Sequence, residues 1–172
     1  MHNYDALILR MTEYDKGMPQ LIQHFLKVHQ FARLIGSCEG LDEHTMHILQ
    51  TAAIVHDIGI VPSLRVYGDD AGKHQEELGP AEAESMLASL GYAPDVIRRV
   101  SLLVSRHHTC SDILGPDHQI LIEADFLVNL FENGSGGDAI RRAHDTIFAT
   151  ACGKALLCCQ FPDQFTQKEP SP

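Results

Sequence analysis

Three places in the chain set metal-binding residue types into apolar surroundings. His24 lies on the apolar stripe of a helical pattern, with Val28, Ala32 and Ile35. His56 and Asp57 close a run that reads Ala52-Ala53-Ile54-Val55, just before Ile58-Gly59. Asp125 sits inside Leu121-Ile122-Glu123-Ala124-Asp125-Phe126-Leu127-Val128. A carboxylate among so many apolar side chains is costly to bury unless it is paired or bound to metal. Two imidazoles and two carboxylates form a mixed nitrogen and oxygen donor set, which suits Fe, Mn, Co, Ni or Zn better than Ca or Mg alone. The set leaves coordination positions open for water and substrate. An ion held there would polarise a phosphoryl oxygen and lower the pKa of bound water. Adjacent His and Asp residues both reach one ion near a helix end, where the helical period need not hold, and the negative end of the helix dipole favours a cation there. Taken singly, a His on an apolar helix face is usually a satisfied core residue, and a buried Asp is as often a cap or ion-pair partner. Their joint occurrence carries the argument.

These residues need helices to position them. The spacing predicts a helix over Tyr4 to Tyr14 and a second from Pro19 to Gly36, opened by a proline at its first position. Asp42 is placed to cap a third, which runs through Ile48, Leu49, Ala52, Ala53 and Val55 to about Asp57. Residues 61–79 show no clear period and read as a long loop. Pro80 then opens a helix that Gly91 stops, and Pro94 opens another that runs to His107–His108. Ile120 to Phe131 is helical in spacing, and Ala139 to Cys159 forms the last helix. The expectation is an all-α, single-domain helical bundle over 1–166, with its core in 18–132 and a disordered tail at 167–172.

Bulk composition narrows the class. Leu, Ile, Val and Ala must build the core, because Trp is absent and aromatics are 6% of residues; that palette suits helices better than a β-sandwich. The formal net charge of -10 argues against broad binding to nucleic-acid phosphates. The 5 cysteines are odd in number and form no CxxC pair, which argues against a disulfide framework or a thiolate zinc site. Cys158–Cys159 reads as core packing. The N-terminus lacks a basic segment followed by an apolar run, and no stretch is long enough to span a membrane. A cytoplasmic protein with no membrane partner is expected; a homo-oligomer is compatible with this reading.

The order His24, then His56-Asp57, then Asp125 resembles the HD-domain superfamily of metal-dependent phosphohydrolases. His24 with Val28 and Ala32 resembles the family's first helix, Ala52 to Gly59 its signature stretch, and Glu123-Ala124-Asp125 its final motif. The resemblance covers roughly residues 18 to 132. It implies an HD-domain-like helical bundle and a divalent metal held by His24, His56, Asp57 and Asp125. It also implies hydrolysis of a small phosphorylated or nucleotide substrate, as a phosphomonoesterase or phosphodiesterase.

Other residues bear on that expectation. His29 competes with His24 as first ligand, but the two lie about 140° apart around one helix, and His24 shares the apolar stripe. His107–His108 resembles an element found in relatives with two metals. The companion histidine would fall at Gln75, four residues before Gly79, so a second metal stays open. His107 or His108 would otherwise contact substrate phosphate or act as general acid. Asp57 has a second role in view, as the group that orients or deprotonates the attacking water. Lys73, Arg65 and Arg106 are the nearest cations in sequence, and Glu76 and Glu77 would sit at the site mouth. His44, His47, His118 and His144 read as surface or cap residues. Two rival functions use the same ligands: a nucleotide-binding sensor module with negligible turnover, and a di-iron oxygenase of HD-like fold.

Overall fold

Alternation of capped, apolar-striped segments with short breaks yields helices throughout. The computed structural model describes residues 4–165, and among them there is no strand. The elements are α1 (Tyr4–Tyr14), α2 (Pro19–Cys38), α3 (Glu43–Val55), α4 (Ile60–Val66), α5 (Gly72–Ser89), α6 (Pro94–Val104), α7 (Pro116–Glu132), α8 (Gly137–Thr146) and α9 (Ala151–Gln160). A single 3-10 turn follows at Pro162–Gln164. No described helix is long and apolar enough to cross a membrane.

The centre of the bundle is α3, flanked by α2, α6 and α7. Every residue of α3 from His47 to Val55 is buried, as expected of a helix that is apolar all round. Its start is fixed by Asp42, whose Oδ1 accepts from the backbone N–H of His44 and Thr45, each at 3.0 Å. Such a cap contributes about 1 kcal/mol. Helix α7 buries Ile120 to Asp125 together with Leu127, Val128 and Leu130. Burial of each large aliphatic side chain contributes about 1.5–3 kcal/mol. Helices α2, α3 and α7, on or beside which the expected ligands lie, therefore pack against one another through the main core.

Several boundaries differ from the sequence reading. Residues 61–79 are largely helical, in α4 and in the first half of α5. Pro80 lies inside α5 and does not open it. The reason is a close approach invisible to periodicity: a Cβ on Gly59 would stand 2.5 Å from the Gln75 carbonyl oxygen, and one on Gly79 would stand 2.8 Å from Val104 Cγ1. These glycines let α5 lie on the Gly59 turn, and that packing carries the helix through the proline. Helix α2 continues past Gly36 to Cys38. The last predicted helix is two, α8 and α9. Between them, the backbone N–H groups of Ala149 and Thr150 donate to Glu123 Oε1 at 2.7 and 2.9 Å. Cys158 is half-buried and Cys159 exposed, so the pair is not core. The tail expected at 167–172 lies outside the described residues.

Candidate metal centre

The end of α3 delivers the first pair. Beyond Val55 the chain turns, and His56 is fully buried while the Asp57 side chain keeps 16% exposure. His56 Nδ1–H donates to Ala53 O at 3.0 Å. From α2, the buried His24 donates through Nδ1–H to Glu132 Oε2 at 2.8 Å. Both imidazoles thereby leave Nε2 for the interior, and these two atoms face each other at 3.2 Å. From α7, Asp125 Oδ1 lies 3.0 Å from His24 Nε2 and 3.5 Å from His56 Nε2. Asp57 Oδ2 lies 3.4 Å from each of the same two nitrogens. His24, His56 and Asp57 thus form one cluster, and Asp125 approaches it from the side of the two imidazoles. His29 does not: it is buried against Gln50, with its Nε2 at 3.2 Å from Gln50 Oε1.

A cation fits this arrangement. Two Nε2 lone pairs aimed at each other across 3.2 Å, beside two carboxylates, repel unless a positive charge lies among them. A divalent ion or bound protons satisfy that demand. In the metal-free protein, burial opposes charging of His56, but Asp57 and Asp125 beside it hold its pKa well above the ordinary value. His24 is raised too: burial opposes its charging most, but the hydrogen bond to Asp125 and the charges of Asp57 and Asp125 together outweigh it. The carboxyls move the other way against burial, Asp57 through His56 and His107 and Asp125 through His24 and His56. The donor atoms of His24, His56 and Asp57 all lie within 4.8 Å of one another.

Asp57 also faces a second cluster. Its Oδ1 lies 3.3 Å from His107 Nε2, and the donor atoms of Asp57, His107 and His108 again lie within 4.8 Å. Helix α6 ends at Val104, so both histidines sit on the turn after it and not at a helix end. His107 Nδ1–H donates to Val104 O at 2.7 Å, leaving its Nε2 buried without a hydrogen bond. Gln75, at the position where the resemblance leads one to expect His, is buried on this side. Its Nε2 donates to Asp70 O at 2.6 Å, and its Oε1 lies 3.3 Å from His108 Nε2. Glu76 Oε1 holds the turn by accepting from His108 N at 3.0 Å and Thr109 Oγ1 at 3.1 Å. Glu77 accepts from Tyr67 O–H at 3.0 Å. Arg65 and Lys73 are exposed and Arg106 is half-buried.

Two histidines expected at the surface are structural and buried. His118 accepts from Leu114 N–H and lies 3.0 Å from Arg106 O, pinning the 106–114 segment. His47 is buried in a polar group with Tyr4, whose O–H lies 3.0 Å from its Nδ1.

Sequence reasoning missed the supporting groups. Asn129 Nδ2 donates to Asp125 Oδ1 at 2.8 Å, and Glu132 holds His24. Asp125, Asn129 and Glu132 recur at i, i+4 and i+7, one face of α7, and that spacing was the available signal. Asp15 is a further miss: it is buried, its Oδ1 has no hydrogen-bond partner, and burial together with the Asp57 charge pushes its pKa up to about 6.

Residues 21–130 match the family model described as HD domain. The fold is similar to that of a crystal structure described as a predicted HD superfamily hydrolase from an uncultured Thermotogales bacterium. The TM-score is 0.68 at 23% identity, over 94% of this chain and 86% of that one. No curated protein matches the chain.

Proposed function

The chain belongs to the HD domain family, and on that premise we propose that it is a metal-dependent phosphohydrolase with its ion held by His24, His56, Asp57 and Asp125. The observation that supports this most is the pair of facing Nε2 atoms, 3.2 Å apart, with both Nδ1–H groups already committed. That preorganisation serves no purpose in a dry core, and it is what a nitrogen and oxygen site for a transition metal requires.

A divalent ion, when bound, supplies Lewis-acid polarisation of a phosphoryl oxygen and a bound water of low pKa. The chain's own residues do the rest. Asp57 presents one oxygen to the ligand pair and the other to His107, so it orients the attacking water and accepts its proton. His107 Nε2 lies 3.3 Å from Asp57 Oδ1, so it takes up the proton that Asp57 accepts from water and passes it to the leaving oxygen. His108, at the edge of the turn, contacts the substrate phosphate. A small phosphate ester or nucleotide is the substrate class that suits this set. A second ion at Asp57, His107 and His108 is a further reading, favoured by the closeness of their donor atoms and countered by the neutral Gln75.

The test is metal analysis of the purified chain together with turnover of a generic phosphate ester. Asp57→Ala is expected to lose both, and one ion per wild-type chain is expected rather than two. Full activity in a metal-free Asp57→Ala protein would sink the reading. Two irons with oxygen consumption would point to an oxygenase, and tight nucleotide retention without product to a sensor module.

A further inference from the structure

We propose that Glu132 is a positioning residue for the metal centre: its carboxylate fixes the tautomer and ring plane of His24 and thereby sets how tightly the site holds its ion. The inference rests on the metal-binding reading above. It comes from three observations about α2 and α7.

The first is a difference among the imidazoles. His56 and His107 are each oriented by a backbone carbonyl three residues back, Ala53 O and Val104 O. Those contacts are local and uncharged. His24 alone is oriented by a charged side chain from another helix, 108 residues away in sequence and 2.8 Å distant. A carboxylate behind a ligating imidazole fixes which nitrogen carries the proton and makes the other a stronger donor.

The second is the placement of Glu132 on its own helix. It is the last residue of α7, where the helix dipole disfavours a negative charge. Its place therefore needs a compensating contact, and the structure supplies two. One oxygen takes the His24 Nδ1–H, and the other takes Lys27 Nζ. Lys27 sits three residues from His24 on α2, so the carboxylate is gripped from both sides of one helical turn.

The third is burial. The His24 side chain is only 7% exposed while Glu132, which covers its Nδ1, keeps 29%, so a water that replaces the carboxylate is a neutral and untethered acceptor. With Glu132 removed, the ring is free to rotate or to move its proton to Nε2, and the donor atom is lost from the site. Asn129, one turn earlier on the same face, performs the parallel task for Asp125.

The experiment compares the full-length wild type with Glu132→Ala, Glu132→Gln and Lys27→Met. Zn2+ affinity is read by competition with a chromophoric chelator, and the His24 tautomer by long-range proton–nitrogen spectra of the metal-free protein in alkaline buffer. In Glu132→Ala, Zn2+ is expected to bind about 10–100-fold more weakly, and the proton is expected to leave Nδ1. The Gln variant keeps an oxygen acceptor of the same reach. It is expected to lose less than about tenfold and to hold the tautomer, and it carries the test if the Ala variant fails to fold. Lys27→Met removes the tether between α2 and α7 but leaves the His24 acceptor. It is expected to lower the melting temperature with Zn2+ affinity nearly unchanged. Wild-type affinity in Glu132→Ala, or a loss there with the His24 proton still on Nδ1, overturns the proposal. If the wild type itself takes up no Zn2+, the metal reading fails, and the tautomer alone decides whether Glu132 orients His24.

Discussion

Metal uptake by this chain is expected to release protons, up to one from each of the two facing imidazoles. In the metal-free protein the four ligands form a closed charge system. Asp57 and Asp125 are held ionised, against the cost of burial, by the imidazoles beside them. Those carboxylates shift His56 strongly, and His24 as well, toward the protonated form against the same cost. Protons on Nε2 are therefore the alternative to a metal ion as the cation that the site demands. The first proton binds tightly. The second binds less tightly, because two N–H groups 3.2 Å apart repel. A divalent ion must displace both, so between one and two protons leave per ion bound. Apparent affinity then climbs with pH by the same number of powers of ten per unit, or about 1.4–2.7 kcal/mol. The climb ends once pH passes both raised histidine values. Stability follows the matching sign. A histidine whose pKa is raised by folding adds stability fully below its unfolded value of about 6.5 and loses it as pH rises through the folded value. The metal-free protein should weaken on the alkaline side for this reason, and the gain in melting temperature on adding metal should grow with pH. Calorimetric titration of Zn2+ in two buffers of different ionisation enthalpy gives the proton count directly. No release at neutral pH would refute the assignment of His24 and His56 as ligands.

Two further outcomes separate the scaffold from the site. Glu123 lies two residues from Asp125 but accepts from Gln119 Nε2, Ala149 N, Thr150 N and Thr150 Oγ1, and it is fully buried. Glu123→Ala leaves these donors without their acceptor, at about 1–3 kcal/mol for each one left unsatisfied in chemical denaturation, while metal affinity in the folded fraction stays at the wild-type level; a matched loss of metal would assign Glu123 to the site instead. Gly59→Ala places a methyl 2.5 Å from the Gln75 carbonyl oxygen, so α5 must retreat; a destabilisation of about 1–3 kcal/mol is expected, and an unchanged denaturation midpoint would contradict the close approach.

What the sequence disclosed and what it hid divide along physical lines. Helix α1 ends at Tyr14, where its spacing placed it, and the Asp42 cap is observed, because capping and periodicity are local properties. The meeting of His24, His56, Asp57 and Asp125 was legible for another reason: each is a polar residue that its apolar neighbours carry into the interior, and one core has only one centre. The hidden features depend on contacts between segments far apart in the chain. Residues 61–79 read as loop because their order comes from backbone packing at Gly59 and Gly79, which leaves no hydrophobic period. His118 read as a surface residue because its partners, Leu114 and Arg106, lie on a turn that has no pattern of its own. Asp57 shows how the two kinds of information join. Its neighbour His56 brings it to the first cluster by adjacency alone. Its contact with His107 depends on the turn after α6, which Glu76 and His118 hold in place. The ligand set is thus encoded near each ligand, whereas the groups proposed to handle the proton are placed by tertiary contacts. Changes in those contacts should alter turnover before they alter metal binding.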